Sequence, residues 1–380
     1  MNQIGQYIKQ PHGNYKALVP NDFPPKSGFN LPPSLLKKAS IATLFLGKLD
    51  GITRLLPDVD FFIFMYMRID AAASSQIEGT NATMVDSIEA EAQTSETLPA
   101  DVDDIIHYLK AMNYGLGRLS TLPMGLRFIR ELHRELLEEA RTTHFADPGN
   151  FRKTQNWIGG TNPSNASYVP PPPSELMRCL DDLEKFFHGE DELLPIIKAG
   201  VIHSQFEMIH PFLDGNGRTG RLLITFYLHR EELLERPVLF LSWYFKKHQK
   251  IYYQKLLGYQ TQGKVEDWLD FFLDGMIEVS QEAIETVHQI TTLREEDMDK
   301  IRTLGKTASE SAIKVLPQLF KLPIVNVARI QEWIGFSRPG AQKVIDRFVD
   351  LGILSQKDES KTYGRSYVYR KYLAIFTDNT

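Results

Sequence analysis

His210-Pro211-Phe212-Leu213-Asp214-Gly215-Asn216-Gly217-Arg218-Thr219-Gly220-Arg221 separates two apolar runs, Val201 to Ile209 and Leu222 to Leu228. The runs predict helices over about 192–209 and 218–232, so the segment is a loop that opens directly into a helix. Backbone N–H groups and the positive end of the helix dipole converge there, which favours a bound anion. Gly215 and Gly217 let the backbone approach phosphate oxygens with no Cβ in the way. Asp214 is a hard oxygen ligand suited to magnesium, which takes few protein carboxylates and fills its shell from phosphates and water. Arg218 and Arg221 sit at the positive end of the helix and work against the dipole unless an anion joins them. His210, immediately before the loop, is placed to take or give a proton. Together these residues predict a phosphate site with a base beside it.

Outward from this segment the chain reads mostly as helix. Residues 1–35 are Pro- and Gly-rich and predict an irregular lead-in. Helices are expected over 35–56 (apolar at Leu36, Ile41, Leu44, Leu46 and Leu49), 58–78, 102–118, 123–140, from Ser174 as cap, and 265–295. Gly79 supplies a helix stop. The stretch from Thr142 to Pro173 holds a hairpin-like loop at Trp157-Ile158-Gly159-Gly160 and closes on four prolines, which favour extended geometry. Charge between Arg294 and Lys306 predicts a linker to a small last domain. There the order is helix from Ser309, helix from Asn326 to Ile334, helix from Pro339 to Leu351, then strand-like runs Ile353–Gln356 and Tyr367–Tyr372. The expected division is 1–100, 101–300 and 306–380.

Composition sets limits. A net charge of −5 leaves no global basic field for bulk nucleic-acid attraction. Cys179 is the single cysteine, which rules out an intrachain disulfide or a Cys-based zinc cluster and fits a reducing compartment. The apolar run Phe61 to Met67 is far short of the about 20 residues a membrane helix needs. Met1 to Lys9 lacks an apolar signal-peptide core. The expectation is a soluble, cytoplasmic protein with no membrane partner.

The segment 210–221 resembles the signature of the Fic (filamentation induced by cAMP) family, His-x-Phe-x-Asp/Glu-Gly-Asn-Gly-Arg-x-x-Arg, at every fixed position, and the resemblance extends from about residue 35 to the end. It implies a mainly α fold: a Fic-type helical core with a short β-hairpin flap, an N-terminal helical region and a C-terminal winged-helix domain. It also implies protein adenylylation, the transfer of AMP from ATP to a Ser, Thr or Tyr hydroxyl of a target protein, with self-modification. His210 would be the base and Asp214 the Mg²⁺ ligand. Gly215, Asn216, Gly217, Arg218, Thr219, Gly220 and Arg221 would hold ATP, with Tyr252, Tyr253 and Gln260 near the adenine. Trp157, Ile158, Gly159, Gly160 and Thr161 would be the flap that aligns the target by strand addition.

Upstream, Ser74, Glu78 and Gly79 fit the family's inhibitory helix. Glu78 closes a predicted helix, where the dipole disfavours a carboxylate, so a cation partner is expected. The resemblance supplies Arg221 as that partner, with Glu78 denying it to the γ-phosphate. In the last domain, Arg338, Gln342, Lys343 and Arg347 on one helix and Lys357, Lys361, Arg365, Arg370 and Lys371 beyond it leave DNA and protein both open as partners. A homodimer stays open as well. Rival functions are removal of AMP, transfer of another phosphate-containing group, and DNA-binding regulation by nucleotide sensing.

Overall fold

The computed structural model describes residues 4–377 apart from 12, 55, 57–58, 96, 139–145 and 190–191. The expected helix start at Asp58, the helix end near 140 and the first residues of the loop from Thr142 therefore lie outside the described residues, as do Met1 to Gln3.

The lead-in is not wholly irregular. β1 (Gly5–Lys9) and β2 (Lys16–Pro20) pair antiparallel, Gly5 opposite Pro20 and Lys9 opposite Lys16. Ala17 and Leu18 are buried. Adjacent buried residues lie on opposite faces of a strand, so no alternation stands out among the prolines and glycines.

Then come α1 (Pro33–Arg54), α2 (Asp60–Ile77), α3 (Met84–Ala92), α4 (Val102–Leu119), α5 (Leu126–Leu137), α6 (Pro173–His188), α7 (Pro195–Ile209), α8 (Asn216–Arg230), α9 (Ser242–Lys247), α10 (Gln249–Gln262) and α11 (Val265–Arg302). α1 buries Leu35, Ala39, Ala42, Leu46 and Leu49 against α11, whereas Leu36, Ile41 and Leu44 face out. Small alanines permit close helix approach but carry little hydrophobic signal in the sequence, which is why the outward leucines and isoleucine dominate the pattern. α6 starts at Pro173 with Pro172 as its cap, so Ser174 is not the N-cap. A proline at the first helical position costs no hydrogen bond. Its expected face, Leu176, Leu180, Leu183 and Phe187, is buried.

α7 is apolar almost all round, and every residue from Ile196 to Ile209 is buried. Such a helix belongs at the centre. It packs against α6, α8, α10 and α11, and the loop at its end is held by a rigid scaffold. α2 is fixed by the buried Asp70, which accepts from Tyr108 Oη at 2.8 Å and from the Ser242 N–H at 2.9 Å.

The expected linker is helix as far as Arg302. α11 runs 38 residues, about 57 Å at the usual rise. Its charged last turns bury Asp297, which accepts from Tyr369 Oη at 2.6 Å. The chain continues through α12 (Lys306–Lys321), β3 (Ile324–Asn326), α13 (Val327–Ile334), α14 (Arg338–Asp350), β4 (Ser355–Gln356), β5 (Ser366–Val368) and α15 (Arg370–Thr377). The sheet order is β3-β5-β4, antiparallel throughout. The run expected as strand to Tyr372 turns helical at Arg370, where Tyr372, Leu373 and Phe376 pack inward at three- and four-residue spacing. This last unit holds α3: Arg329 Nη2 donates to Glu91 O at 2.8 Å, and Lys357 pairs with Glu89.

Candidate functional site

α7 ends at His210, whose backbone is left-handed (φ 50°, ψ 60°). A non-glycine residue holds this conformation only where its surroundings fix it. Here the His210 carbonyl accepts from Arg152 Nε at 2.9 Å and Asn156 Nδ2 at 3.0 Å. Arg152 also donates to Ile209 O (3.3 Å) and Pro171 O (2.6 Å), and Asn156 to Phe212 O (2.8 Å). The buried Arg152 is thus a clamp joining the proline run to the motif, and burial lowers its pKa to about 10.

Asn216 closes the loop on itself. Its Oδ1 accepts from the Phe212 N–H and its Nδ2 donates to Phe212 O, both at 2.8 Å. Gly215 caps α8 at φ 74°, where a Cβ would press on Leu137 and His133. His133 stacks on Phe212 with centroids 3.6 Å apart and planes 4° apart. Its Nδ1 accepts from the Gly149 N–H and its Nε2 donates to Asp214 O, each at 2.9 Å. Burial, which outweighs the opposing contacts with Asp214 and Asp147, lowers its pKa to about 4 and keeps the ring neutral. Arg152, Asn156 and His133 went unnoticed in the sequence because they act through backbone groups that no spacing rule displays.

The His210 ring is mostly buried, and its Nδ1 stands 3.6 Å from Glu207 Oε2. Arg218 reaches Asp104 (3.6 Å) and Asp214 (3.9 Å). Thr219 is fully buried, and Gly220 allows α7 and α8 to cross where a Cβ would strike Glu207 and His203. The N–H groups in the first turn of α8 have no intrahelical acceptor, so an anion is suited to this end.

A carboxylate already stands there. Glu78 follows α2 as its C-cap, Gly79 turns at φ 98°, and Arg221 Nη2 lies 2.7 Å from Glu78 Oε1. A Cβ on Gly217 would collide with Glu78 Oε1, so the carboxylate sits directly on the glycine face of α8. Arg221 also donates from Nε to Ser74 Oγ at 2.8 Å and from Nη2 to Ser74 O at 2.9 Å. Burial works against the Arg221 charge, and the Glu78 carboxylate outweighs it, so the guanidinium stays protonated. The cation partner expected for Glu78 is therefore Arg221. The turn is pinned by Thr80 Oγ1 on Asp104 (2.8 Å) and the Asn81 N–H on Asp101 (2.6 Å).

The remaining expected residues are more dispersed. Ile158 makes one antiparallel bridge, to Tyr168, and Gly159 and Gly160 turn at φ 70° and 71°. Trp157 is 39% exposed, and the Thr161 N–H is held by Asn165 Oδ1 at 3.0 Å. The Leu18 N–H donates to Val169 O at 3.2 Å, which ties the N-terminal hairpin to the chain just after Tyr168. Tyr253 Oη and Gln249 Nε2 both donate to Ile77 O, at 3.1 and 3.0 Å, and hold the end of α2. Tyr252 is buried against Phe245 and shares a 2.9 Å hydrogen bond with His203, while Gln260 Nε2 donates to Glu207 O at 3.2 Å. Of the cations expected to face a partner in the last unit, Lys357 is taken by Glu89 and Arg370 by Ser355 Oγ at 2.8 Å. Arg338 and Lys343 on α14 stay exposed.

Among the described residues no group of three or more His, Cys, Asp or Glu could hold a metal by itself. Asp214 is 40% exposed, and its Oδ1 accepts from the Gly215 N–H at 2.7 Å. One open carboxylate beside an anion-seeking helix end fits a Mg²⁺ ion shared with nucleotide phosphates.

Residues 123–228 match the Fic domain of the Fic/DOC family, and residues 36–117 match the Fic/DOC family N-terminal region. The chain thus carries a Fic domain preceded by its N-terminal region. Over 170 residues it is 32% identical to the protein adenylyltransferase Fic of Drosophila grimshawi and 31% identical to that of Drosophila persimilis. The alignments cover 43% of this chain and 31% and 30% of those relatives, so the chain spans under a third of their length. A Fic family protein from Desulfovibrio desulfuricans G20 shares the fold with a TM-score of 0.59 at 16% identity, covering 90% of this chain and 97% of that one. Fic-1 of C. elegans (residues 134–508) follows with 0.51 at 19%, covering 67% and 73%. No described helix is long and apolar enough to cross a membrane.

Proposed function

We propose that this protein is an adenylyltransferase that moves AMP from ATP to a Ser, Thr or Tyr hydroxyl of a target protein, and that Glu78 holds it in check. The observation that carries this reading is the Glu78 carboxylate seated on Arg221 and Gly217 at the start of α8. An internal anion at that place marks where a substrate anion binds and what must leave first. The similarity to Drosophila protein adenylyltransferases supports the reaction class.

In this reading the first turn of α8 and Arg218 receive the phosphates, and Arg221, once free of Glu78, takes the γ-phosphate. His210 accepts the proton of the target hydroxyl. The hydroxyl oxygen bonds to the α-phosphorus as the bond to the bridging oxygen breaks, and pyrophosphate leaves. Asp214 would hold Mg²⁺, which supplies charge neutralisation between the phosphates when bound. Most of the rate comes from positioning and charge stabilisation, which the Arg152 and Asn156 clamp and the Asn216 closure serve. The flap around Ile158 and Gly159 aligns the target backbone. Because Glu78 and Arg221 belong to one chain, the inhibition acts within a subunit.

Mass spectrometry of Glu78→Gly protein after incubation with ATP tests this. A gain of one AMP on a hydroxyl supports it. A gain of phosphate alone, or loss of AMP from a premodified protein with no gain, contradicts it and favours another transferred group or the hydrolytic reading.

A further inference from the structure

The adenylyl-transfer scheme makes no use of Glu207, a buried carboxylate beside its proposed base. Glu207 lies in the last turn of α7, three residues before His210, and is 5% exposed. Among the described residues its Oε1 has no hydrogen-bond partner, and neither has His210 Nδ1. The two side chains face each other, with Oε2 3.6 Å from Nδ1. A carboxylate taken out of water costs several kcal/mol unless a partner compensates it.

The neighbouring groups do not provide that partner directly. His203, on the same helix, donates from Nδ1 to Gly220 O and accepts on Nε2 from Tyr252 Oη, each at 2.9 Å. Burial lowers its pKa, so the ring is neutral. Arg221, from α8, is committed to Ser74 and Glu78. Tyr252 and Tyr253 from α10 are neutral phenols whose pKa burial raises. Arg152 meets His210 only at its backbone carbonyl. Burial would raise the Glu207 pKa, but the contact with His210, with a weaker contribution from the Arg221 charge, keeps it below the ordinary range.

We propose that Glu207 is a positioning residue for His210. Its carboxylate faces Nδ1, fixes the tautomer that carries the proton there, and leaves Nε2 as the basic nitrogen. This rests on His210 being the base of the proposed reaction. As the target hydroxyl transfers its proton to Nε2, the ring becomes an imidazolium held between that proton and the Glu207 charge. Pyrophosphate departs from the α-phosphorus, and the proton then passes to solvent. A purely structural Glu207 would fill space between α7 and α8 without affecting the basicity of His210.

The isosteric Glu207→Gln separates these roles. In the full chain with ¹³C-labelled histidine, the NMR titration midpoint of His210, assigned by loss of its signal in His210→Ala, is expected to fall by about one unit, because an opposite charge within a few ångströms favours the protonated ring. An unmoved midpoint overturns the proposal. In a Glu78→Gly background, Glu207→Gln should lower kcat about tenfold while KM for ATP stays within about twofold. The acid limb of the rate profile should move down by the same shift as the NMR midpoint. An unchanged limb in a protein that labels normally overturns the positioning role alone. A shifted NMR midpoint in a protein that transfers no AMP upholds the Glu207–His210 coupling and rejects the adenylyltransferase reading.

Discussion

Glu78 Oε1 lies 2.7 Å from Arg221 Nη2 although 143 residues separate them in sequence, and Ser74, one turn earlier on α2, holds the same guanidinium through its hydroxyl and its carbonyl. The pair is asymmetric: Arg221 is buried, and Glu78 is 38% exposed. Its carboxylate can therefore withdraw toward solvent, whereas Arg221 cannot follow. That asymmetry fits a brake that releases from the Glu78 side.

Glu78→Gly should raise AMP incorporation about tenfold or more, the effect of about 1.4 kcal/mol of lost pairing. Initial rates with labelled ATP check this, and a rate no higher than wild type counts against the brake.

Ser74→Ala removes one bond to Arg221 and leaves Glu78 in place. A hydrogen bond of about 1 kcal/mol predicts a smaller activation, roughly fivefold. The same assay should rank it between wild type and Glu78→Gly.

Arg152→Met strips donors from the carbonyls of His210, Ile209 and Pro171. Urea unfolding should show a loss of about 2–4 kcal/mol, because buried acceptors are left unpaired. Activity in the Glu78→Gly background should fall with it.

The buried His133 gives a pH dependence. Its folded pKa of about 4 lies below the unfolded value of about 6.5. The unfolded chain therefore binds the proton first as pH drops. Stability is intact above about pH 6.5 and is lost progressively toward about pH 4. His203 acts in the same direction, so the test is a difference between proteins. Between about pH 7 and about pH 4.5, His133→Gln should lose roughly 2–3 kcal/mol less than wild type in urea melts. Equal losses would contradict the assignment.

Residues 210–221 announced an anion site because glycines, arginines and an acid stood in one short window before a helix. The need of Glu78 for a cation followed from its helix position alone. The β1–β2 hairpin, the inward face of α1 and the continuation of α11 through Arg302 were hidden, for different reasons. Adjacent buried residues in β2 break the alternation that reveals a strand, alanines carry little hydrophobic signal, and a charged helix end looks like a linker until Tyr369 is seen on Asp297. His133, Arg152 and Asn156 serve the site by bonding to carbonyls and N–H groups brought together only by folding.

The most direct test of the central claim is incorporation from α-labelled ATP with Mg²⁺ in lysate by wild type, Glu78→Gly and Glu78→Gly/His210→Ala, side by side. The account predicts strong protein labelling with Glu78→Gly alone. Equal labelling by all three, or none with Glu78→Gly, would contradict it.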